Sequence, residues 1–407
     1  MNRVKKSVSF TILTCLIIAG RSLAQAPAAL PVPGSANDTA RFLAGMEPLS
    51  DPALKDLARN ESWQHHAKFF NTAWAELDKN QLSKVRAWAK TNTPNTFTSK
   101  SNLFYMFSGP DYLYASTFFP QATTYVLCGI EPIGPMPDVS KLSPNVLGGE
   151  LRALQSSLNS VLSLSFFRTK DMKEDFKNHA LSGTLPVIYI FLARSGMTIS
   201  DVSFVSLDES GALAPQPDMA HAKSTAPGVR ISFAAEGSNA PQTLYYFSTD
   251  ISNDGLKKSG FLPFCKTMGM GNSFVKSASY LMHEKYFSSI RDFLLSNADT
   301  LIQDDSGIPC SFFTPEMWNM SFHGSYPGPI DLFKNYRQPL LADYYKTRNP
   351  KPLDFGIGYR HHAKESTLMV LSRKPASNIE PKQETKDSQT PLRAQPVEKE
   401  DLPGTPQ

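Results

Sequence analysis

LFYMFSGPDYLYASTFFPQATTYVLCGIEPIG, residues 103–134, is the stretch that decides the fold. It predicts a strand, a tight turn, an aromatic-rich connection and a second, more hydrophobic strand. Two small polar residues, Ser108 and Asp111, stand among seven tyrosines and phenylalanines between Phe104 and Phe119. Polar groups at the end of a strand are typical of a site in an α/β protein, so this segment is the first candidate site.

The segments that follow alternate between strand and helix patterns. The run PVIYIFLA, residues 186–193, is continuously apolar and predicts a central strand that pairs with 202–207. The spacing of apolar residues over Phe274–Leu295 predicts one long, buried helix. Further strands are predicted at 229–233 and 243–247, which would form a hairpin, and at 310–313, 318–322 and 367–371. The pattern predicts an α/β or α+β fold: a mixed β-sheet with flanking helices and a helical N-terminal cap.

That helical cap is predicted over residues 48–100. Ser50 or Asp51 would cap a helix with Pro52 in its first turn. Apolar residues then recur every three or four positions from His66 to Leu77, which indicates an amphipathic helix that ends near Asn80. A second helix would follow before a polar linker.

Both ends of the chain have the composition of segments outside a folded core. Basic residues precede an apolar run from Val8 to Gly20, which predicts a secretory signal peptide over residues 1–24. A flexible linker is predicted over 25–47, and a disordered, Pro-rich tail over 373–407. We therefore expect a periplasmic or secreted bacterial protein, without a transmembrane segment once the signal peptide is removed.

Removal of the signal peptide also changes the charge. It takes away four of the 41 basic residues and none of the 37 acidic residues, which leaves a formally neutral chain. A neutral surface does not attract phosphates over long range, so we expect no nucleic-acid partner.

The remaining folded region divides at a polar loop, 208–227. This loop predicts a first α/β half over 101–215 and a second over 228–372. Residues 103–111 resemble residues 244–250, which raises the hypothesis of a diverged internal duplication.

Three cysteines lie outside the predicted signal peptide: Cys128, Cys265 and Cys310. In an oxidising compartment they permit three pairings, of which Cys265–Cys310 is favoured if any bridge forms. Cys128 lies in an apolar run, where a free, buried thiol is the simpler interpretation.

Two interpretations stay open for Ser108 and Asp111. Ser108 is a candidate nucleophile or ligand contact at a strand end, and Tyr105 is a candidate ligand contact beside it. Alternatively, Ser108 caps a helix that begins at Gly109-Pro110, and Asp111 reaches back as in a capping box. The segment lacks the flanking glycines of a G-x-S-x-G elbow, so it does not predict a lipase-like enzyme.

Asp304 and Asp305 are the second candidate pair. Adjacent carboxylates can share a proton or bind a cation, but Asp-Asp-Ser-Gly is also a common turn. The candidate histidines are His66, which lies on the apolar face of its helix, and His361. No metal-binding motif is present in the sequence, and no metal or other cofactor is predicted.

Four stretches resemble a group of secreted bacterial proteins of unassigned function: FSGPDYLYASTFFPQATTYVLCGIEP (107–132), QDDSGIP (303–309), GSYPGPIDLF (324–333) and PLDFGIGY (352–359). The resemblance implies no activity or cofactor. It implies that these stretches come together to define the fold or a shared site. Tyr326 is a further candidate ligand contact.

Two functions follow as expectations. The first is a non-catalytic binding or envelope-associated role, with an envelope component or a small molecule as partner. The second is a cofactor-independent hydrolase that uses Ser108 or an aspartate of the 304–305 pair with a histidine.

Overall fold

The computed structural model describes residues 35–164, 179–216 and 226–375. Ten strands form one mixed sheet in the order β4-β3-β5-β6-β2-β1-β7-β8-β10-β9. The strands are β1 (Asn102–Tyr105), β2 (Thr124–Gly129), β3 (Met197–Leu207), β4 (Leu213–Pro215), β5 (Pro227–Ala235), β6 (Gln242–Ser248), β7 (Gly271–Val275), β8 (Ala298–Gln303), β9 (Trp318–Gly324) and β10 (Thr367–Arg373).

Helices flank this sheet, so the predicted fold class is confirmed. The α-helices are Ser35–Leu43, Pro52–Leu57, Glu61–Leu77, Ser83–Asn92, Pro94–Phe97, Tyr112–Phe118, Pro144–Leu164, Leu185–Arg194, Asn253–Lys258, Phe261–Thr267, Ser288–Asn297 and Pro339–Arg348. A π-helical turn covers Asp78–Leu82, and short 3-10 helices cover Val139–Lys141, Leu281–His283, Lys285–Phe287, Cys310–Phe312 and Asp331–Tyr336. No helix in the described ranges is long and apolar enough to cross a bilayer.

The central five strands, β6-β2-β1-β7-β8, are all parallel. The chain first lays β2 and then β6 on one side of β1, and later returns across the sheet to lay β7 and β8 on the other side. The order therefore reverses between β1 and β7. In open α/β sheets, ligands bind outside the carboxyl ends of the strands at such a switch point.

Side chains of the central strands alternate between two hydrophobic layers. In β1, Leu103 and Tyr105 face the layer that holds the N-terminal helices and helix Leu185–Arg194. Phe104 faces the other layer, against residues of helices Phe261–Thr267 and Ser288–Asn297. Because helices cover both faces, the edge formed by the strand ends is where polar groups can gather.

The N-terminal cap begins earlier than the sequence predicts. Helix Ser35–Leu43 occupies part of the segment expected to be a flexible linker, and its Phe42 and Leu43 are fully buried. Asp38 accepts hydrogen bonds from the backbone N–H groups of residues 49–51, which fixes the chain there. The linker prediction is therefore wrong for 35–47. The predicted signal peptide and residues 25–34 lie outside the described residues.

The predicted start of helix Pro52–Leu57 is confirmed, whereas the predicted end of helix Glu61–Leu77 near Asn80 is wrong. Asp51 caps the helix that begins at Pro52, accepting from the N–H groups of Ala53 and Leu54. The amphipathic helix is Glu61–Leu77, and it continues through the π-helical turn into Ser83–Asn92 without a break at Asn80.

Two long elements differ from the prediction. Residues 186–193 belong to a helix whose residues Leu185–Ala193 are all buried. A helix that is apolar all round gives the same continuous pattern as a buried strand, so periodicity could not distinguish them. The expected partner, 202–207, instead pairs with β5.

The predicted helix Phe274–Leu295 is instead the end of a strand, an irregular turn, two short 3-10 helices and the start of a later helix. Phe274 and Val275 end β7, an irregular turn follows, and helix Ser288–Asn297 comes later. The predicted strand at 310–313 is a 3-10 turn. The β5–β6 hairpin and the strands near 318–322 and 367–371 are confirmed.

The two predicted halves share one sheet. Strands β5 and β6 lie between β3 and β2, so elements from before and after the 208–227 loop alternate across it. The two stretches behind the duplication hypothesis both run toward the same edge, but β1 connects to its neighbour β2 whereas β6 connects across two strands to β7. The duplication stays a prediction. At the other end, β10 extends to Arg373, inside the predicted tail, and residues 376–407 lie outside the described ranges.

Candidate functional site at the carboxyl edge of the sheet

A buried ion pair lies at the switch point. Asp111 follows β1 and Lys276 follows β7, and Lys276 Nζ lies 2.8 Å from Asp111 Oδ2, with side-chain exposures of 2% and 1%. Tyr105 donates its hydroxyl hydrogen to Asp111 Oδ2 at 2.8 Å. Lys276 Nζ also lies 4.6 Å from the centre of the Tyr114 ring, a cation–π contact. The charges are thus compensated within the protein, as buried charges must be.

Two aspartates follow β8 at the same edge. Asp304 accepts hydrogen bonds from the backbone N–H groups of Ser306 at 2.9 Å and Ser277 at 2.8 Å. Asp305 Oδ2 accepts the hydroxyl hydrogen of Tyr280 at 2.7 Å. Burial raises the pKa of Asp305 to about 7, and the negative charge of Asp304 adds to this effect. Burial also raises the pKa of Asp304. The pair is therefore poised to hold a proton near neutral pH.

The turn from Ser277 to Tyr280 connects these groups and is conformationally unusual. Ser277, Ser279 and Tyr280 have φ values of 51°, 52° and 56°, a region that non-glycine residues rarely occupy. Tyr359 holds the turn: its hydroxyl donates to Ser277 O at 2.9 Å and accepts from the Ser279 N–H at 3.1 Å. Ser277 Oγ is buried and has no hydrogen-bond partner. Such strain persists only where the surrounding structure imposes it, and it is frequent at functional sites.

Aromatic rings cover the turn. The Tyr280 ring stacks with that of Tyr336, with centroids 5.1 Å apart and planes 13° apart. Phe333 lies 5.1 Å from Tyr280 and 5.0 Å from Tyr359, measured between ring centroids. Tyr280 itself is fully buried, whereas the rings of Phe333, Tyr336 and Tyr359 are partly exposed.

Of the first candidates, Asp111 joins this site and Ser108 does not touch it. Asp111 caps helix Tyr112–Phe118 by accepting from the Tyr114 N–H at 3.1 Å. Ser108 caps no helix: its hydroxyl accepts from the Cys128 N–H at 3.2 Å and donates to backbone carbonyls. The predicted capping box is therefore wrong: Ser108 satisfies the backbone at the end of β2, and Asp111 is itself the N-cap of a helix that begins at Tyr112 rather than at Gly109-Pro110.

The candidate histidines lie apart from one another. His66 is in the N-terminal cap, where its ring contacts Leu43 O at 2.8 Å and the Gln155 side chain at 3.0 Å. Both ring nitrogens are used, and burial lowers the pKa of His66 to about 4. His361 lies two residues beyond Tyr359, with Nδ1 3.4 Å from the Tyr359 carbonyl oxygen. His66 is thus a core residue, and His361 is at the rim of the site.

The two candidate tyrosine contacts have structural partners. Tyr105 is buried and bonds Asp111, so it supports the floor of the site. Tyr326 accepts from the Gln338 N–H at 2.9 Å, and burial raises its pKa to about 12.

The Cys265–Cys310 bridge, favoured among the three pairings if any forms, is absent from this structure: both cysteines are free and buried. Cys128 is also free and buried, in agreement with its simpler interpretation. Within the described ranges, no group of three or more His, Cys, Asp or Glu side chains is arranged to hold a metal ion.

Lys276, Ser277, Tyr280 and Tyr359 are the residues that sequence reasoning missed. The first three fell inside the segment predicted as a helix, which hid the strand end at Val275. A usable signal was present for Tyr359, since it ends one of the four quoted stretches.

Those four stretches do come together. Gly358 packs so closely on Asp304 that a side chain there would collide with its carboxylate, and Phe333 packs on Tyr359. Lys276 pairs with Asp111 in the first stretch, and its charge also acts to lower the pKa of Asp304 in the second. No family model, curated protein sequence or solved structure matches the chain. The case for function therefore depends on the geometry of this edge.

Proposed function

We propose that the protein is a secreted or periplasmic binding protein that takes a small organic ligand at the carboxyl edge of its sheet, over the Ser277–Tyr280 turn. The observation that carries the proposal is the convergence of β1, β7 and β8 ends at the switch point, where open α/β sheets place their ligands. The periplasmic or secreted location is inferred from the N-terminal sequence pattern.

The charged groups support a binding role over a catalytic one. Asp111, Lys276 and Asp304 are all at most 3% exposed and are bonded to one another or to the backbone. They form a rigid floor rather than a set of groups available to a substrate. Precise binding sites are typically built on such fixed supports.

The partly exposed groups at this edge supply the contacts. Phe333, Tyr336 and Tyr359 offer ring surface, and Arg360 and His361 lie beside them in the chain. Aromatic surface with a few polar groups is typical of small-molecule sites. We infer a ligand with an apolar or ring-shaped body and at least one hydrogen-bonding group.

Thermal unfolding in the presence of defined solutes tests this proposal. The panel contains hexoses, amino acids, dipeptides, nucleosides and aromatic carboxylates, each at millimolar concentration. A binding member raises the midpoint, because a ligand that binds only the folded state stabilises it. The increase should disappear in Tyr359→Ala and persist in Tyr344→Ala, a matched change at a tyrosine that stacks on Phe322, outside this edge. An increase that survives Tyr359→Ala would place the ligand elsewhere.

A hydrolase is the second candidate, and one observation favours it. The pKa of Asp305 is raised to about 7, which is near the value expected of a general acid or base at neutral pH. The test is turnover of p-nitrophenyl esters and p-nitrophenyl phosphate by the wild type and by Asp305→Asn. Hydrolysis that is lost in Asp305→Asn would establish catalysis, and equal rates in both proteins would exclude this role for Asp305.

A further inference from the structure

We propose that residues Pro327–Tyr336, here called the strap, are a lid that opens to admit ligand to the Ser277–Tyr280 turn. Opening of the strap would give a ligand its route into the proposed binding site, so the role of the lid rests on the proposed function. The opening itself can be measured without any ligand.

The strap is weakly integrated into the fold. Gly328 is its only buried residue, and Leu332 is 78% exposed. Among the described residues, no backbone-to-backbone hydrogen bond joins the strap to another segment; the Phe333 N–H bonds Ile330 O within it. Segments with little burial and few backbone bonds open at a small fraction of the free energy of global unfolding.

The contacts that hold the strap closed are few and specific. Arg360 donates to Gly328 O at 3.1 Å and to Pro329 O at 3.0 Å. Arg337 donates to Pro327 O at 3.2 Å, and the Tyr336 hydroxyl donates to Glu284 at 2.9 Å. The remaining attachments are ring contacts, of Phe333 with Tyr280 and Tyr359 and of Tyr336 with Tyr280 and His283. Each of these contacts can break without disturbing the sheet.

Both ends of the strap are anchored, so only its middle can move. Before it, the N–H groups of Gly324 and Ser325 bond Lys351 O and Ser366 O. After it, Gln338 donates to Asp305 O at 2.9 Å and accepts from the Cys310 N–H at 2.7 Å. Gly328, inside the strap, has a φ value of 97°, a region open to glycine, which makes it the natural hinge position at this end.

The groups beneath the strap are those that a ligand would reach. The Tyr280 ring, in contact with Phe333 and Tyr336, is fully buried, and its hydroxyl bonds Asp305. Ser277 is linked to the strap through Tyr359, whose ring packs on Phe333 and whose hydroxyl bonds Ser277 O. Because Ser277 Oγ has no partner in the closed form, a ligand hydroxyl or carbonyl can bond it without displacing a protein contact.

Hydrogen–deuterium exchange of the full chain tests the lid. The reporters are the N–H groups of Ser277, Ala278 and Ser279, which bond the side chains of Asp304, Ser306 and Tyr359. In the wild type, the strap and this turn should exchange faster than the β2 amides. Arg360→Ala removes two hydrogen bonds from the strap and should accelerate exchange of both segments about tenfold or more, with β2 unchanged.

Two further variants keep the test decisive. Phe333→Ala loosens the strap without touching Arg360 and should have the same local effect. Arg348→Ala is the matched control, since Arg348 donates to Met320 O at 3.0 Å, outside the strap, and should leave the turn unchanged. Turn amides that exchange only at the β2 rate, or variants that accelerate all segments equally, would overturn the lid.

The same measurement with the solute panel separates the two proposals. A solute that slows exchange of the turn and the strap supports both. Fast, Arg360-controlled exchange that no solute slows would support the lid and count against ligand binding at this edge. A solute that protects the turn while the strap shows no independent opening would support binding and overturn the lid.

Discussion

Replacing Lys276 with methionine removes the ammonium group from the buried pair at the switch point and keeps most of the side-chain volume. Asp111, whose side chain is 1% exposed, would then lack its cation. Its carboxylate would keep two hydrogen-bond donors, the Tyr105 hydroxyl and the Tyr114 N–H. Loss of one partner of a buried pair costs about 3–5 kcal/mol. Because two donors remain, we expect about 3 kcal/mol, the lower end of that range.

The double variant Lys276→Met/Asp111→Asn isolates the pair. Asparagine at 111 keeps an oxygen acceptor for the Tyr114 N–H, so the helix cap survives, and no unpaired charge is left. The double variant should therefore be less destabilised than the two single changes added together. The difference should be about 0.5–3 kcal/mol, the usual coupling between residues in contact.

Urea unfolding followed by circular dichroism and tryptophan fluorescence measures each free energy. Lys257→Met is the matched control: its pair with Asp254 has a similar length, 3.0 Å, but is exposed, so no measurable change is expected. A Lys276→Met cost below about 1 kcal/mol would refute the assignment of a desolvated, compensating pair, as would strict additivity in the double variant.

Three further predictions concern other groups. The pKa of Asp305 is higher in the folded state than in the unfolded state, so the folded protein holds the extra proton. The stability that Asp305 contributes should therefore fall as pH rises from about 4 to 7. The difference in free energy of unfolding between wild type and Asp305→Asn should follow that trend, and a difference that does not change with pH would contradict it. The pKa of His66 is lowered to about 4, so stability from His66 should be lost as pH falls from about 6.5 to 4, and acid titration of His66→Gln should lack this component. Ser108→Ala leaves the Cys128 N–H without its acceptor and should cost about 1–3 kcal/mol in urea unfolding, whereas an unchanged midpoint would show that the hydroxyl is dispensable.

Local chemistry explains the elements that the sequence predicted. Asp51 before Pro52 specifies a helix start through a side chain that bonds the next turn, and the structure shows those bonds. Strands β1, β2, β5 and β6 were also predictable, because alternation or β-branched runs bounded by turn residues identify strands without tertiary information. The division of these strands into two halves could not be tested by such local patterns, because the pairing of strands across a sheet is set by segments that are distant in the sequence.

The two largest errors share one physical cause. Burial on all sides removes the contrast between polar and apolar faces from which helix and strand periods are read. Residues 185–193 are all buried in their helix, and Phe274 and Val275 are fully buried in β7. In both cases the surrounding layers, rather than the local sequence, decide the backbone conformation.

At the candidate site, the carboxylates of Asp111 and Asp304 have structural roles that are compatible with the proposed binding site. Asp304 organises a turn by bonding Ser306, as its local sequence predicts. Asp111 is the N-cap of helix Tyr112–Phe118, the role that the sequence assigned to Ser108. Lys276 pairs with Asp111, and its positive charge also acts to lower the pKa of Asp304, an arrangement at the switch point that no local pattern encodes. Capping and turn formation use part of each carboxylate, and Lys276 or the Ser277 N–H occupies the rest. The proposed ligand would therefore meet Ser277 Oγ, which has no hydrogen-bond partner, and the partly exposed aromatic residues Phe333, Tyr336 and Tyr359.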